Sequence, residues 1–297
     1  MSPQEQVEGC GREAAALLGR LLGDDLVAVW LGGSGALGGV AAGQSDVDLV
    51  AVCAAAPGEP RRRAIVDGLS ELAMTWPVRG LEFVLYTRAA VAAPAERPSF
   101  ELNLDVGPGM PYHLSLDPAA EPAHWFLLDL DILRQAGRAL VGPPARDLVG
   151  PIPRRRLLEA LVASLAWHGA NEPALQQSVL NACRGWRFAS EGVWSSKDDA
   201  GAWAHHRTGD PATVETALAA RRARSGAGRR RPRPGRPGPA GPGTAAARAQ
   251  PSVRRACSTR SRTRRWKAST RAGSRVRDRS PWRTARAAET VAGSSVR

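Results

Sequence analysis

The sequence predicts an α+β protein: a small mixed-sheet domain, then an α-helical bundle, then a disordered basic tail. Three observations predict it. Short apolar runs bounded by glycines alternate with one amphipathic stretch over the first 90 residues. From about residue 120 the apolar spacing becomes helical. After about residue 223 large aliphatic residues disappear.

Taken in order, residues 4–22 read as a helix, with Val7, Ala14, Leu17, Leu18, Leu21 and Leu22 near helical spacing. DLVAVWLGGSG follows as a strand ending in glycines, and Asp46–Cys53 as a second strand. Residues 60–76 suggest a helix and 81–88 a third strand. In the second half, 123–140, 154–169 and 172–192 each read as a helix, stopped respectively by Gly142 with Pro143 and Pro144, by Gly169, and by Gly192. Ser195 and Ser196 are N-cap residues for a further helix, and residues 211–223 add a last one. The expected boundaries are 1–120, 121–222 and 223–297.

The formal net charge of +13 suggests a nucleic-acid binder until it is divided along the chain. Residues 221–297 hold 22 Arg and one Lys against Asp278 and Glu289. That leaves 18 basic and 26 acidic residues in 1–220, a net −8. The whole-chain charge therefore describes the tail and not the body. Rich in Arg, Pro, Gly, Ala and Ser, the tail has too little apolar surface to offset chain entropy. It reads first as a frameshifted, non-native ending, and second as a polybasic arm for nucleic acid or anionic membrane, with Trp266 and Trp282 able to stack on bases. Cys10, Cys53, Cys183 and Cys257 form no CxxC pair, which argues against zinc and for free thiols in the cytoplasm. The polar N-terminus is not a signal peptide, and no apolar run reaches transmembrane length. The body is expected to be a cytoplasmic monomer.

The chemistry is concentrated in LGGSGALGGVAAGQSDVDLVAV. Asp46 and Asp48 stand two apart on a strand, which puts both carboxylates on one face while Val47 and Leu49 point into a core. Adjacent carboxylates repel, and a divalent cation removes the conflict. Hard oxygen donors with open positions suit Mg²⁺. Glu82, near the start of the next strand, is the third carboxylate, with Glu71 and Glu101 as competitors. Such a set orients a hydroxyl for in-line attack on phosphorus. Gly33 lets backbone N–H groups approach phosphate oxygens, and Ser34 adds a hydroxyl donor. Ser45 is placed to do the same. A lone Asp-x-Asp or Gly-Gly-Ser-Gly is usually surface or loop; their combination across three strands is specific.

Gly33-Ser34, the glycine-rich spacer and Ser45-Asp46-Val47-Asp48-Leu49 together resemble the signature of DNA polymerase β-type nucleotidyltransferases. A narrower resemblance runs through about residues 20–220, to aminoglycoside adenylyltransferases of the streptomycin/spectinomycin type. It includes GLEFVLY (80–86), ALVGPP (139–144) and NACRGWRFASEGVWSSKDDAGAWA (181–204). The resemblance implies transfer of AMP from ATP to a hydroxyl of a cationic antibiotic, with release of pyrophosphate, and hence drug resistance. It implies Asp46 and Asp48 as metal ligands, Glu82 as the base and a further metal contact, and Lys197 and Arg184 on the nucleotide side. The departures lie in the drug-binding region. Glu172, Trp167 and His168 are near one another, but Ala170 and Ala174 fall where the family's acidic pair is expected. His168 reads as a surface or capping residue. Asp105, Trp125, Asp129 and Asp131 are alternatives for an acidic wall, and helical geometry lets at most one of Asp129 and Asp131 face a cleft. Other acceptors, a small molecule or a protein, remain open, as does nucleic-acid binding through the tail.

Overall fold

The computed structural model describes residues 1–171 and 175–227. Most of the tail, and Glu172 with it, lies outside the described residues. The chain runs α1 (Pro3–Leu22), β1 (Leu26–Leu31), α2 (Gly33–Leu37), β2 (Val47–Cys53), α3 (Glu59–Ala73), β3 (Leu81–Thr87), α4 (Arg88–Ala92), β4 (Leu102–Val106) and β5 (His113–Ser115). It continues through α5 (Ala123–Ala136), β6 (Arg138–Val141), α6 (Ala145–Leu148), α7 (Arg154–Asn171), α8 (Leu175–Glu191), α9 (Lys197–His205) and α10 (Pro211–Ala227).

The six strands form one sheet in the order β5-β4-β3-β2-β1-β6. Only β2 and β3 run parallel, joined by α3 as the crossover; the other pairs are antiparallel. Strand alternation sorts the side chains onto two faces. Val47, Leu49, Ala51 and Cys53 of β2 pack with Val7, Ala14 and Leu18 of α1 and Ile65 and Leu69 of α3. Val50 and Val52 turn the other way, into a second core with Tyr86, with Phe126, Leu130 and Leu133 of α5, and with Leu157 and Leu161 of α7. Asp48 has the parity of that second face and lines the cleft. A third core joins α8, α9 and α10 through Leu180, Cys183, Ala200, Ala204, Val214 and Leu218.

The N-terminus starts as its sequence requires: Ser2 and Glu5 close a capping box on α1. β4 and β5 lie in a stretch for which the sequence suggests no element, and three further elements depart from expectation. Residues 138–140 are not the end of a helix but part of β6, which pairs with β1 through Val29↔Val141 and Trp30↔Ala139. Gly137 ends α5, and the strand that follows finds an open sheet edge, so pairing overrides local helical pattern. The expected boundary at 120 therefore falls before the last strand of the sheet. Gly33 and Ser34 open the short helix α2 instead of ending the first strand. The last helix continues past residue 223 to Ala227.

Candidate active site

Register brings the carboxylates together. In the parallel β2–β3 pair Asp48 lies opposite Glu82, and in the antiparallel β3–β4 pair Glu82 lies opposite Asp105. Asp46, just before β2, has the same parity as Asp48. Ligand oxygens of Asp46, Asp48 and Glu82 all lie within 4.8 Å of one another. At an effective dielectric of about 20, two such charges repel by roughly 3 kcal/mol. Burial and its neighbours Asp46 and Asp129 push the Asp48 carboxyl well above the usual range, against the pull of Arg184 and Lys197. Asp46 first, then burial, Asp48 and Asp105, push Glu82 well above its usual range too. Glu82 is exposed to the cleft. The competitors lie elsewhere: Glu101 pairs with Arg62 at 3.5 Å, and Glu71 is exposed on α3.

The donor set fits a hard divalent cation: three mutually repelling carboxylates whose oxygens converge on one point. Arg79, just before β3, provides the cation that meets Asp46 in this structure, at 2.7 Å.

Gly33 adopts φ +46°, and a Cβ there would lie 2.0 Å from Asp48 Oδ2. Glycine is thus required twice, by the left-handed backbone and by the carboxylate pressed against it. The Gly32 N–H donates to the Asp48 carbonyl at 2.8 Å, fixing α2 to β2. Ser34 Oγ is buried without a hydrogen-bond partner, an orphan that an anionic oxygen would satisfy. Ser45 Oγ accepts from the Ala41 N–H at 3.0 Å, so its first role is to close the glycine-rich loop; its own proton remains to donate.

The cleft above this row is about 2230 Å³, well beyond the roughly 300–1,000 Å³ of a single drug-sized site. Its far wall comes from the helices. Arg184 on α8 donates from Nε to the Ser195 carbonyl at 3.1 Å. Its guanidinium is within electrostatic reach of Asp129 and Asp48. Lys197, first residue of α9, donates from Nζ to Gln177 Oε1 at 2.9 Å, and Ser196 caps that helix. Asp129 lines the cleft, its pKa pushed up to about 6 by burial despite Arg184. Asp131 is buried and accepts from Trp194 Nε1 at 2.7 Å and Gln135 Nε2 at 3.0 Å, so it braces the fold instead of facing the cleft. Asp105 also lines the cleft, at about 6, again because burial outweighs His113. Trp125 and Trp167 meet edge to face at 4.9 Å, with His168 packed against both. His168 is buried among these rings, not a surface or capping residue as expected, because α5 and α8 enclose it; Asn181 lies 3.1 Å from its Nε2.

Comparison with known proteins is decisive at this point. The C-terminal-domain model of aminoglycoside adenylyltransferases matches residues 147–232. Aminoglycoside (3'')(9) adenylyltransferases of Klebsiella pneumoniae, Shigella flexneri and Escherichia coli are each 31% identical over 209 residues. The match covers 66% of this chain and 77%, 77% and 76% of theirs. The chain belongs to the aminoglycoside adenylyltransferase family. It is a nucleotidyltransferase. The fold agrees: spectinomycin adenyltransferase AAD(9) from Enterococcus faecialis, solved with ATP and spectinomycin, superimposes with a TM-score of 0.59 at 15% identity, covering 73% of this chain and 88% of that one. The family match runs past Ala223, where the change in composition places the end of the resemblance, and it takes in the whole of α10.

Against this family background, sequence reasoning missed Arg79, Gln177, Asn181 and Arg221. Arg79 left a faint signal, a cation two residues before the strand that carries Glu82. The others carry none, since helix residues acquire a cleft-facing role only through packing.

Proposed function

We propose that this adenylyltransferase moves AMP from ATP to a hydroxyl of a cationic aminoglycoside-type antibiotic, inactivating the drug. One observation carries the reading: Asp46, Asp48 and Glu82 converge beside the Gly33–Ser34 turn, in a cleft with room for two ligands. In this reading the triphosphate lies along α2, with Ser34 and Ser45 donating to its oxygens and Arg184 and Lys197 neutralising its charge from the helical side. Asp46 and Asp48 would hold Mg²⁺, with Glu82 beside them. A bound Mg²⁺ would neutralise phosphate charge and polarise the α-phosphoryl group.

Glu82 takes the proton of the acceptor hydroxyl as its oxygen attacks the α-phosphorus. The new O–P bond forms as the bond to the bridging oxygen breaks, and pyrophosphate leaves. The acceptor would lie on the other side of Glu82, where Asp105 and Glu121 offer negative charge and Trp125 and Trp167 a flat apolar surface for sugar rings. Among the described residues no helix is long and apolar enough to cross a membrane.

The test is pyrophosphate release with ATP, Mg²⁺ and a panel of aminoglycosides. Asp46→Asn and Asp48→Asn should each abolish turnover while circular dichroism and melting stay close to the parent. Full activity in both variants would reject the reading, and activity confined to non-antibiotic acceptors would replace the drug by another substrate.

A further inference from the structure

We propose that Arg221 of α10 is a positioning residue for nucleotide binding, clamping the glycine-rich loop of residues 38–45 in its working conformation. The inference rests on that loop forming part of the ATP cradle.

The loop needs a clamp. Residues 38–45, GGVAAGQS, include Gly38 and Gly43 with φ of +72° and +68°. Fixing each residue costs roughly 1–2 kcal/mol of backbone entropy, more for glycine. The loop ends in Ser45, so its wander becomes wander of a proposed donor to the triphosphate.

Three contacts from the distant end of the chain hold it. Arg221 is buried, 6% exposed, although it is an arginine on a helix. Its Nη2 donates to the Gly39 carbonyl at 2.8 Å, and its Nε donates to Asp198 Oδ2 on α9 at 3.1 Å. One planar fork thus joins the loop, α9 and α10, a geometry that a lysine ammonium does not reproduce. From the loop side, Gln44 Nε2 donates to the Arg221 carbonyl at 3.0 Å and to Ser225 Oγ at 2.7 Å. Gly39 itself is pressed against α9: a Cβ there would lie 2.6 Å from the Cβ of Ser196, the residue before Lys197. The clamp therefore sets the glycine-rich loop and Lys197 in a fixed relation across the cleft. Binding energy is then spent on the nucleotide and not on ordering the loop.

The experiment pairs hydrogen exchange with kinetics on the full chain. In Arg221→Ala, exchange of residues 38–45 should accelerate while β2 and β3 keep their protection. The KM for ATP should rise roughly tenfold, the scale of a lost charged hydrogen bond in a buried setting. The kcat and the acceptor KM should stay within about twofold. Arg221→Lys should restore part of the loss. Because Arg221→Ala removes a buried charge that α9 also uses, Gln44→Ala serves as the second variant. It removes the loop's own side of the clamp, and should shift loop exchange and ATP KM in the same direction. Unchanged loop exchange with unchanged ATP KM in either folded variant overturns the proposal. If the parent shows no AMP transfer, the functional reading fails, while the exchange data still decide whether Arg221 holds the loop.

Discussion

Gly33→Ala is the sharpest probe of the site, because the structure gives its consequence in distances. The new Cβ would sit 2.0 Å from Asp48 Oδ2, 2.2 Å from Cγ and 2.6 Å from Oδ1, where ordinary contact begins near 3.4 Å. The carboxylate must therefore retreat by more than an ångström, or rotate away from Asp46 and Glu82 altogether. Either movement breaks the cluster. A misplacement of about 1 Å at reacting groups costs on the order of 100-fold in rate. The φ of +46° adds about 1–2 kcal/mol of backbone strain for a residue with a Cβ. A strain of that size lowers Tm by roughly 2–8 °C for a protein of this length. The assay is pyrophosphate release at saturating ATP and acceptor, with a melt on the same sample. The expected result is a folded protein that has lost at least about 100-fold in kcat. Gly19→Ala on α1 is the control: its Cβ meets nothing within 4 Å, and alanine in a helix should stabilise by roughly 0.5–1 kcal/mol. A Gly33→Ala protein with parental activity would show that Asp48 does not need its present position, and the reasoning would fail.

Two further outcomes test the electrostatics. Arg79→Ala removes the guanidinium that meets Asp46 at 2.7 Å, so divalent-metal titration should show tighter binding, most clearly at low salt; weaker binding would mean that Arg79 organises the site instead of competing for it. Asp129 has a folded pKa of about 6 against an ordinary 3.8, so the folded state holds its proton more tightly than the unfolded chain. Its contribution to stability is present in full below about pH 4 and is lost as pH rises through about 6. Asp129→Asn should therefore flatten the decline in Tm between about pH 4 and 7 relative to the parent, and an identical pH–Tm profile would show that burial does not penalise its charge.

How far each part of this protein could be read in its sequence depends on the range of the interaction involved. Asp46 and Asp48 were legible because a spacing of two on a strand is a local rule, and their face follows from the apolar residues between them. Glu82 was legible as the acidic residue opening the next strand, although only the parallel register of β2 and β3 puts it opposite Asp48. The helices were legible from periodicity, but β6 was not, since a four-residue strand has no pattern of its own and exists because β1 offers an edge. Asp129 and Asp131 are indistinguishable in sequence; packing against Trp194 takes one and leaves the other to the cleft.

The sequence by itself determined the first three strands, most of the helices, the carboxylate pair and the glycine–serine bend, because these obey the geometry of a single backbone segment. Tertiary structure alone decided what stands around them: Arg79 on Asp46, Asp129 facing Arg184, and Arg221 reaching from the last helix to Gly39. Those contacts join residues up to 182 positions apart. No local rule reaches so far, and they exist only once the hydrophobic cores have brought the helices down over the sheet.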